Sequence, residues 1–258
     1  MRLKDKVIIV TGSTTGIGEA IARRCVAEGA RVLIHGTHRD AGEKVVSALG
    51  AAARLHLDDL SDAGAPPRLI AAALGAFGKL DGLVNNAAWL VRSNIHNTDA
   101  ALFDRAMAIN VRAPLLLIQA ALESLEATRG CVLNIGSINA YTGEANQLAY
   151  SVSKGALMTL SRNLADALGP RGVRVNHFNV GWVLTANEYQ LKISEGLATD
   201  WPEHIPAAFA PSGRILTPEH IAGAAVYWLS DESRPISGSV LELEQYPVIG
   251  RNPLKEDK

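Results

Sequence analysis

The sequence predicts an α/β protein built on a doubly wound sheet of seven parallel strands with helices on both faces. Three observations predict it. Short β-branched runs alternate with longer segments of helical period along the 258 residues. The runs show little polar alternation, as expected of strands covered on both sides. The first run passes directly into a glycine-rich turn and then an amphipathic segment, the order of a nucleotide-binding unit.

The strand candidates are 7–10, 31–35, 53–57, 80–84, 131–135, 173–178 and 239–243. The pieces between them are long enough for crossover helices. Gly29 stops a helix over 17–28, Gly169-Pro170 stops one over 148–168, and Thr217-Pro218 opens the last. A further helix is expected over 100–127. No repeat or interdomain linker interrupts the pattern, so residues 1–258 are expected to form a single domain. The stretch 185–213 is too long for an ordinary connection and is expected to be a functional loop. A tail over 245–258, carrying Pro247, Gly250 and Pro253, is expected to be extended.

Composition excludes several classes. With 25 Lys+Arg against 26 Asp+Glu the net charge is −1, and no basic run offers a nucleic-acid footprint. The 48% hydrophobic content suffices for a sizeable core. No apolar stretch approaches the length of a membrane span, and the N-terminus lacks a signal-peptide core. Cys25 and Cys131 have neither disulfide-scaffold nor metal-ligand spacing and are expected to be buried and reduced. A cytoplasmic protein without bound metal is expected.

The turn after the first strand reads Thr11-Gly12-Ser13-Thr14-Thr15-Gly16-Ile17-Gly18. Gly12 allows a sharp turn, Gly16 lets backbone approach a diphosphate, and Gly18 lets the helix pack on the strand. Free N–H groups at the helix start attract the anion. Tyr150 and Lys154, four residues apart in a helical segment, share one face. A phenol with a pKa of about 10 is a poor base near neutrality, and a neighbouring ammonium is expected to lower it. Such a tyrosine can exchange a proton with an alcohol or carbonyl oxygen. Ser137 ends the fifth strand, at the sheet edge where ligands of such folds bind.

This turn, with Asp59-Leu60-Ser61-Asp62, Asn85-Asn86-Ala87-Ala88, Asn110, Ser137, Tyr150-Ser-Val-Ser-Lys154 and Gly181-Trp182-Val183-Leu184-Thr185 in that order, resembles the short-chain dehydrogenase/reductase family. The resemblance covers nearly the whole chain and implies a Rossmann-like fold and NAD(P)-dependent hydride transfer. It implies that Gly12, Ser13, Thr14, Gly16, Ile17 and Gly18 hold the cofactor diphosphate region and that Asp59 and Leu60 hold the adenine. Asn86, Ala87 and Ala88 would line the cleft, and Gly181, Val183 and Thr185 would seat the nicotinamide. It further implies that Ser137 binds the substrate oxygen, Lys154 reaches the nicotinamide ribose beside Tyr150, and Asn110 supports a proton-relay water. It also implies a homotetramer or homodimer formed through the helices over 100–127 and 148–168.

The chain departs from the family pattern in places. At the end of strand two, Gly36 stands where an NAD-preferring member carries an acid. Thr37, His38 and Arg39 follow as possible partners of a 2′-phosphate, which favours NADP over NAD. Ala88 replaces a glycine. Asn179-Val180-Gly181 replaces a Pro-Gly turn, so a more mobile loop is expected there. Glu244-Gln245-Tyr246-Pro247 replaces Asp-Gly-Gly.

Trp89, Asn139, Gln147, Trp182 and Tyr189, with Glu144 and Asn146, are the candidate substrate contacts. Amides, carboxylate and aromatic platforms suit a sugar, polyol or hydroxy acid. Two alternatives remain open: an NADPH-dependent reductase of a carrier-bound or aromatic ketone, and a non-catalytic dinucleotide sensor.

Overall fold

The computed structural model describes residues 1–250. Strands β1 (Val7–Val10), β2 (Arg31–Gly36), β3 (Ala53–Leu57), β4 (Gly82–Asn85), β5 (Cys131–Ser137), β6 (Arg174–Val180) and β7 (Val240–Leu243) form one sheet. Its order is β3-β2-β1-β4-β5-β6-β7 and every pairing is parallel. The order reverses between β1 and β4, which leaves a crevice beyond their carboxyl ends. The helices are α1 (Gly16–Ala27), α2 (Arg39–Leu49), α3 (Ala65–Phe77), α4 (Ala100–Met107), α5 (Ala113–Thr128), α6 (Asn139–Thr142), α7 (Leu148–Leu168), α8 (Ala186–Ser194) and α9 (Pro218–Leu229).

Alternate residues of β1, β2, β4, β5 and β6 feed two cores, as the period of two requires. On one face Ile8, Val10, Val32 and Leu133 pack with Ile21 and Cys25 of α1 and Ala225 and Val226 of α9. On the other, Val7, Ile9, Leu83 and Val132 meet Leu69 of α3, Leu117 and Ala121 of α5 and Leu168 of α7. Cys25 and Cys131 are buried and free. Burial holds both thiols well above their ordinary pKa.

The structure revises three expectations. The helix over 100–127 is broken by a π-turn, Ala108–Arg112, centred on Asn110. The stretch 185–213 contains α8, capped by Thr185, whose hydroxyl accepts from Glu188 N at 3.0 Å. The Asn179-Val180-Gly181 segment is pinned rather than mobile. The Val180 carbonyl accepts from Ile138 N at 3.0 Å, and Gly181 N donates to the Leu243 carbonyl at 2.9 Å. β6 stays in register with β7 as far as Val180, opposite Leu243. Residues 251–258 of the expected tail lie outside the described residues. Among the described residues no helix is long and apolar enough to cross a membrane.

Candidate active site

β1 ends at the crevice, and its turn is stitched to the end of β4. The Thr11 hydroxyl accepts from the N–H groups of Asn86 and Ala87, both at 3.0 Å. Asn86 Nδ2 donates back to the carbonyls of Thr11 and Gly12 at 2.9 and 3.1 Å. Buried Ser13 donates to the Val10 carbonyl at 2.6 Å and accepts from His35 N at 3.0 Å. Gly12 has φ +62°, and a Cβ there would lie 2.9 Å from Ala87 Cα. A Cβ on Gly18 would lie 2.3 Å from the Gly12 carbonyl oxygen and 2.5 Å from Asn86 Nδ2, so only glycine lets α1 start this close to the turn. No side chain caps the first N–H groups of α1. The result is a glycine-lined turn with uncapped backbone N–H groups at a helix N-terminus, which fits a dinucleotide diphosphate.

The proton-transfer candidates come from the end of β5 and the first turns of α7. Lys154 is 2% exposed and donates to the Ile135 carbonyl at 2.7 Å. Burial alone lowers its pKa to about 8. Its Nζ lies 5.5 Å from the centroid of the Tyr150 ring. The Tyr150 hydroxyl hydrogen-bonds Ser137, and its pKa is pushed up to about 12, chiefly by burial and further by the Glu188 carboxylate, against the lowering effect of Ser137. This corrects the sequence expectation: with the ammonium drawn against Ile135, desolvation of the phenol outweighs any help from the cation.

Asn110, 1% exposed, uses its side chain to tie elements together. Its Oδ1 accepts from Trp89 N at 2.7 Å, and Nδ2 donates to the Trp89 carbonyl at 3.1 Å and to Ser153 Oγ at 2.9 Å. Ser153 in turn donates to the Tyr150 carbonyl at 2.7 Å. The π-turn therefore sets the register of α7 against the segment after β4.

Ser137, Tyr150 and Lys154 open onto one cavity of about 950 Å³ at the carboxyl edge of the sheet, which Asn110 does not line. Asn86, Ala88, Ser137, Tyr150, Lys154 and Trp182 are on its wall, with the cleft formed by Gly181, Val183 and Thr185. Its size and position suit a cofactor together with a small substrate.

The comparisons agree with this architecture. A family model described as enoyl-(acyl carrier protein) reductase, from the short-chain dehydrogenases, matches residues 12–244. The chain belongs to the short-chain dehydrogenase/reductase family. It is 35% identical over 247 residues to 2-(S)-hydroxypropyl-CoM dehydrogenase 3 of Xanthobacter autotrophicus, covering 94% of this chain and 96% of that one. It is 32% identical to the L-rhamnose 1-dehydrogenase (NAD(P)(+)) of Azotobacter vinelandii, covering 93% and 96%. The crystal structure of 3-ketoacyl-(acyl-carrier-protein) reductase from Brucella melitensis complexed with NADH superposes with a TM-score of 0.82 at 28% identity, over 93% of this chain and 97% of that one.

Within this short-chain dehydrogenase/reductase, several of the residues singled out from sequence as substrate contacts are on the cavity wall. Asn139 and Gln147 are on the cavity wall and bond each other at 3.2 Å. Glu144 and Asn146 join them. Trp89 and Tyr189 do not reach the wall. The Trp89 ring sits under the Arg105 guanidinium at 5.0 Å. Tyr189 stacks on Trp201 at 6.2 Å and donates to the Thr199 carbonyl at 2.9 Å, so it packs the loop from within.

Asp59 and Leu60, expected from sequence on the adenine side, follow the end of β3. The Asp59 carboxylate accepts from Ser61 N at 2.8 Å, and Leu60 is buried. Asp58 beside it is clamped by Arg68 at 2.9 and 2.8 Å, which lowers its carboxyl pKa to about 2. Thr37, His38 and Arg39 are exposed at the start of α2, where Arg39 pairs with Glu43 at 3.3 Å. A Cβ on Gly36 would lie 2.6 Å from Thr14 Cγ2, so Thr14 occupies the place of a side chain there.

A charged group on the wall escaped the sequence reading. Glu195, just past α8, holds Arg92 at 2.6 Å and Lys192 at 2.8 Å, and Glu188 accepts from Trp182 Nε1 at 2.8 Å. Trp182 stacks on Trp201 at 5.5 Å, with Phe209 edge-on at 6.3 Å. Glu244 accepts from Trp182 N at 3.0 Å and fills the space a side chain on Gly181 would need. The spacing of Glu188, Lys192 and Glu195 is a helical signal, and it was hidden because 185–213 reads as a loop.

Proposed function

We propose that the protein is an NAD(P)-dependent dehydrogenase of a small polar alcohol, a sugar, polyol or hydroxy acid, with Tyr150 as acid/base. The observation that carries this reading is the meeting of Ser137, Tyr150 and Lys154 on the wall of one cavity that Ile17 of the glycine turn also lines. Backbone N–H groups at the start of α1 hold the diphosphate, Asp59 and Leu60 the adenine, and Asn86, Ala87, Val183 and Thr185 the nicotinamide half. When bound, the nicotinamide supplies or accepts the hydride. Ser137 binds the substrate oxygen and orients it toward Tyr150, which takes or returns the hydroxyl proton. Lys154 binds the ribose and places its positive charge beside Tyr150, which opposes the burial that keeps the phenol protonated. Asn110 positions α7 and the segment after β4.

The missing acid at Gly36, with Thr14 in its place, supports NADP over NAD. The amide pair Asn139–Gln147, the carboxylates and the Trp182 face support a polyhydroxylated ligand. A second reading, reduction of an aromatic or carrier-bound ketone, draws on Leu90 and Phe209, exposed apolar residues on the same wall. A single chain domain working as a cytoplasmic homo-oligomer belongs to the proposal, in keeping with the reduced buried cysteines. Reduced-nicotinamide absorbance, followed with either cofactor and a panel of polyols, sugars, hydroxy acids and aromatic ketones, tests the reading. Turnover of a polyhydroxylated alcohol is expected; turnover confined to ketones favours the second reading, and tight dinucleotide binding without turnover on any member overturns both.

A further inference from the structure

Behind the site, on the face of the sheet covered by α7, runs a chain of buried polar side chains that the proposed reaction does not use. Asn85 Nδ2 donates to Asn134 Oδ1 at 2.7 Å, and Asn134 Nδ2 donates to Ser161 Oγ at 2.8 Å. Ser161 Oγ lies 2.9 Å from His177 Nδ1, His177 Nε2 lies 2.9 Å from Asn179 Oδ1, and Asn179 Nδ2 lies 3.4 Å from Met158 Sδ. Asn85, Asn134, Ser161, His177 and Asn179 are each at most 2% exposed. The chain joins β4, β5, β6 and α7 just beneath their active-site ends.

The proton positions follow from the donor inventory. Asn179 uses its amide N–H toward Met158, so its oxygen accepts and His177 Nε2 carries hydrogen. Burial holds the His177 pKa down to about 3, with the positive charges of Lys154 and Arg162 on α7 acting in the same direction. The ring is therefore neutral with Nδ1 as an acceptor, and the single Ser161 hydroxyl hydrogen faces two acceptors, His177 Nδ1 at 2.9 Å and the Leu157 carbonyl at 2.7 Å. Asn85 donates to Asn134 and Asn134 to Ser161, while on the other side His177 donates to Asn179 and Asn179 to Met158, and the Ser161 hydroxyl, shared between His177 Nδ1 and the Leu157 carbonyl, joins the two runs.

The ring also defines the backbone above it. A Cβ on Gly136 would lie 2.0 Å from His177 Nε2 and 2.8 Å from Asn179 Oδ1. Gly136 stands between Ile135, whose carbonyl anchors Lys154, and Ser137. We propose that His177, as the neutral Nε2–H tautomer, is a positioning residue that fixes the end of β5 and so places Lys154 and Ser137 for proton transfer. The proposal rests on the reading of Ser137, Tyr150 and Lys154 as the reacting set.

The test compares wild type with His177→Phe, which keeps a ring but leaves Asn179 Oδ1 without its donor, while Ser161 keeps the Leu157 carbonyl and Asn134. Relaxation of the strand end would lengthen the Lys154–Ile135 contact, withdraw support from the ammonium and raise the apparent pKa of the acid limb for alcohol oxidation. The expected result is a fall in kcat of about 10- to 100-fold, the scale of a misplaced reacting group, with KM and dinucleotide affinity little changed and the acid limb shifted upward. His177→Gln, which retains one acceptor and one donor, is expected to recover most of the loss. A folded His177→Phe with wild-type kcat and pH profile overturns the proposal. Nitrogen NMR of the wild-type imidazole provides an arm independent of folding variants and of turnover. A neutral Nε2–H ring that does not titrate down to pH 5 is expected, and an Nδ1–H or titrating ring overturns the proposal. A wild-type protein silent toward every alcohol would overturn the reaction assigned above, and with it the positioning role, even where the NMR arm finds the expected tautomer.

Discussion

Lys154 Nζ and the Ile135 carbonyl oxygen are 2.7 Å apart, and that contact is made by an ammonium only 2% exposed. Its charge is costly in the folded chain, because burial is what lowers its pKa to about 8. Between that value and the unfolded one near 10.5, the unfolded chain holds a proton that the folded chain has released, so stability rises with pH across this window. Below pH 8 the folded protein bears the whole penalty, about 3 kcal/mol at 1.36 kcal/mol per unit.

Lys154→Met is therefore expected to abolish turnover yet raise the Tm of the cofactor-free protein at pH 7 by a few degrees, with the Ile135 carbonyl's lost donor offsetting part of the gain. The variant should also lose the rise in stability between pH 8 and 10.5. Calorimetry across that range checks both statements, and a lower Tm at pH 7 would contradict the burial argument.

Tyr150→Phe removes the hydroxyl that bonds Ser137 from α7 and leaves the glycine turn untouched. Turnover should fall by about 10²- to 10⁴-fold, the usual range for a general acid/base, while dinucleotide affinity stays within threefold. In the cofactor-free protein the phenol is pushed up to about 12. Ultraviolet titration should accordingly reveal no tyrosine of the wild type ionising below pH 9 that disappears in the variant. Such a tyrosine would place the activation of Tyr150 in the folded chain alone.

Much of this organisation was legible in the sequence, and the reasons are local. α7 runs from Leu148 to Leu168 as expected because Gly169-Pro170 ends it unambiguously. β1 and β3 match their expected bounds because turn residues punctuate them. The π-turn at Asn110 was invisible because the apolar period passes through 100–127 with little disturbance. The Arg92–Glu195 pair spans 103 positions in sequence and depends on where α8 sits, which no local pattern encodes. Trp89 and Tyr189 were misplaced for the opposite reason: adjacency to catalytic positions says nothing about which way a ring turns. The phenol's upward shift was missed because spacing shows the neighbouring cation and not the burial.

Gly36 gives a test of cofactor choice. A carboxylate there would accept from a ribose 2′-hydroxyl and repel a 2′-phosphate, but its Cβ would meet Thr14 Cγ2 at 2.6 Å and Oγ1 at 2.8 Å. Gly36→Asp alone should destabilise the fold by about 1–3 kcal/mol, as overpacking does, and weaken both NAD and NADP. Adding Thr14→Ala should restore stability and leave NAD bound more tightly than NADP. Dissociation constants for both cofactors with the single and double variants decide it; a single variant that is already stable and prefers NAD would remove Thr14 from the account.

Acid should destabilise the protein before its carboxylates titrate, and the buried histidines are the cause. His35 accepts from Gly12 N through Nδ1 at 3.2 Å, and burial, aided by repulsion from His56, lowers its pKa to about 4. His177 is lowered to about 3. Both folded values lie below the unfolded 6.5, so the unfolded chain binds more protons as pH falls, and the stability present above pH 6.5 is lost progressively below it. Each histidine contributes a slope of up to about 1.4 kcal/mol per pH unit between 6.5 and its folded value. Lowered carboxylates such as Asp58 and Glu195 act in the same direction only nearer their own range. Denaturant midpoints between pH 7 and 5 therefore isolate the histidines. His35→Asn keeps an acceptor near Nδ1 for the Gly12 N–H and should remove about half of that slope. An unchanged midpoint from pH 7 to 5 in the wild type would show that neither ring is held neutral by the fold.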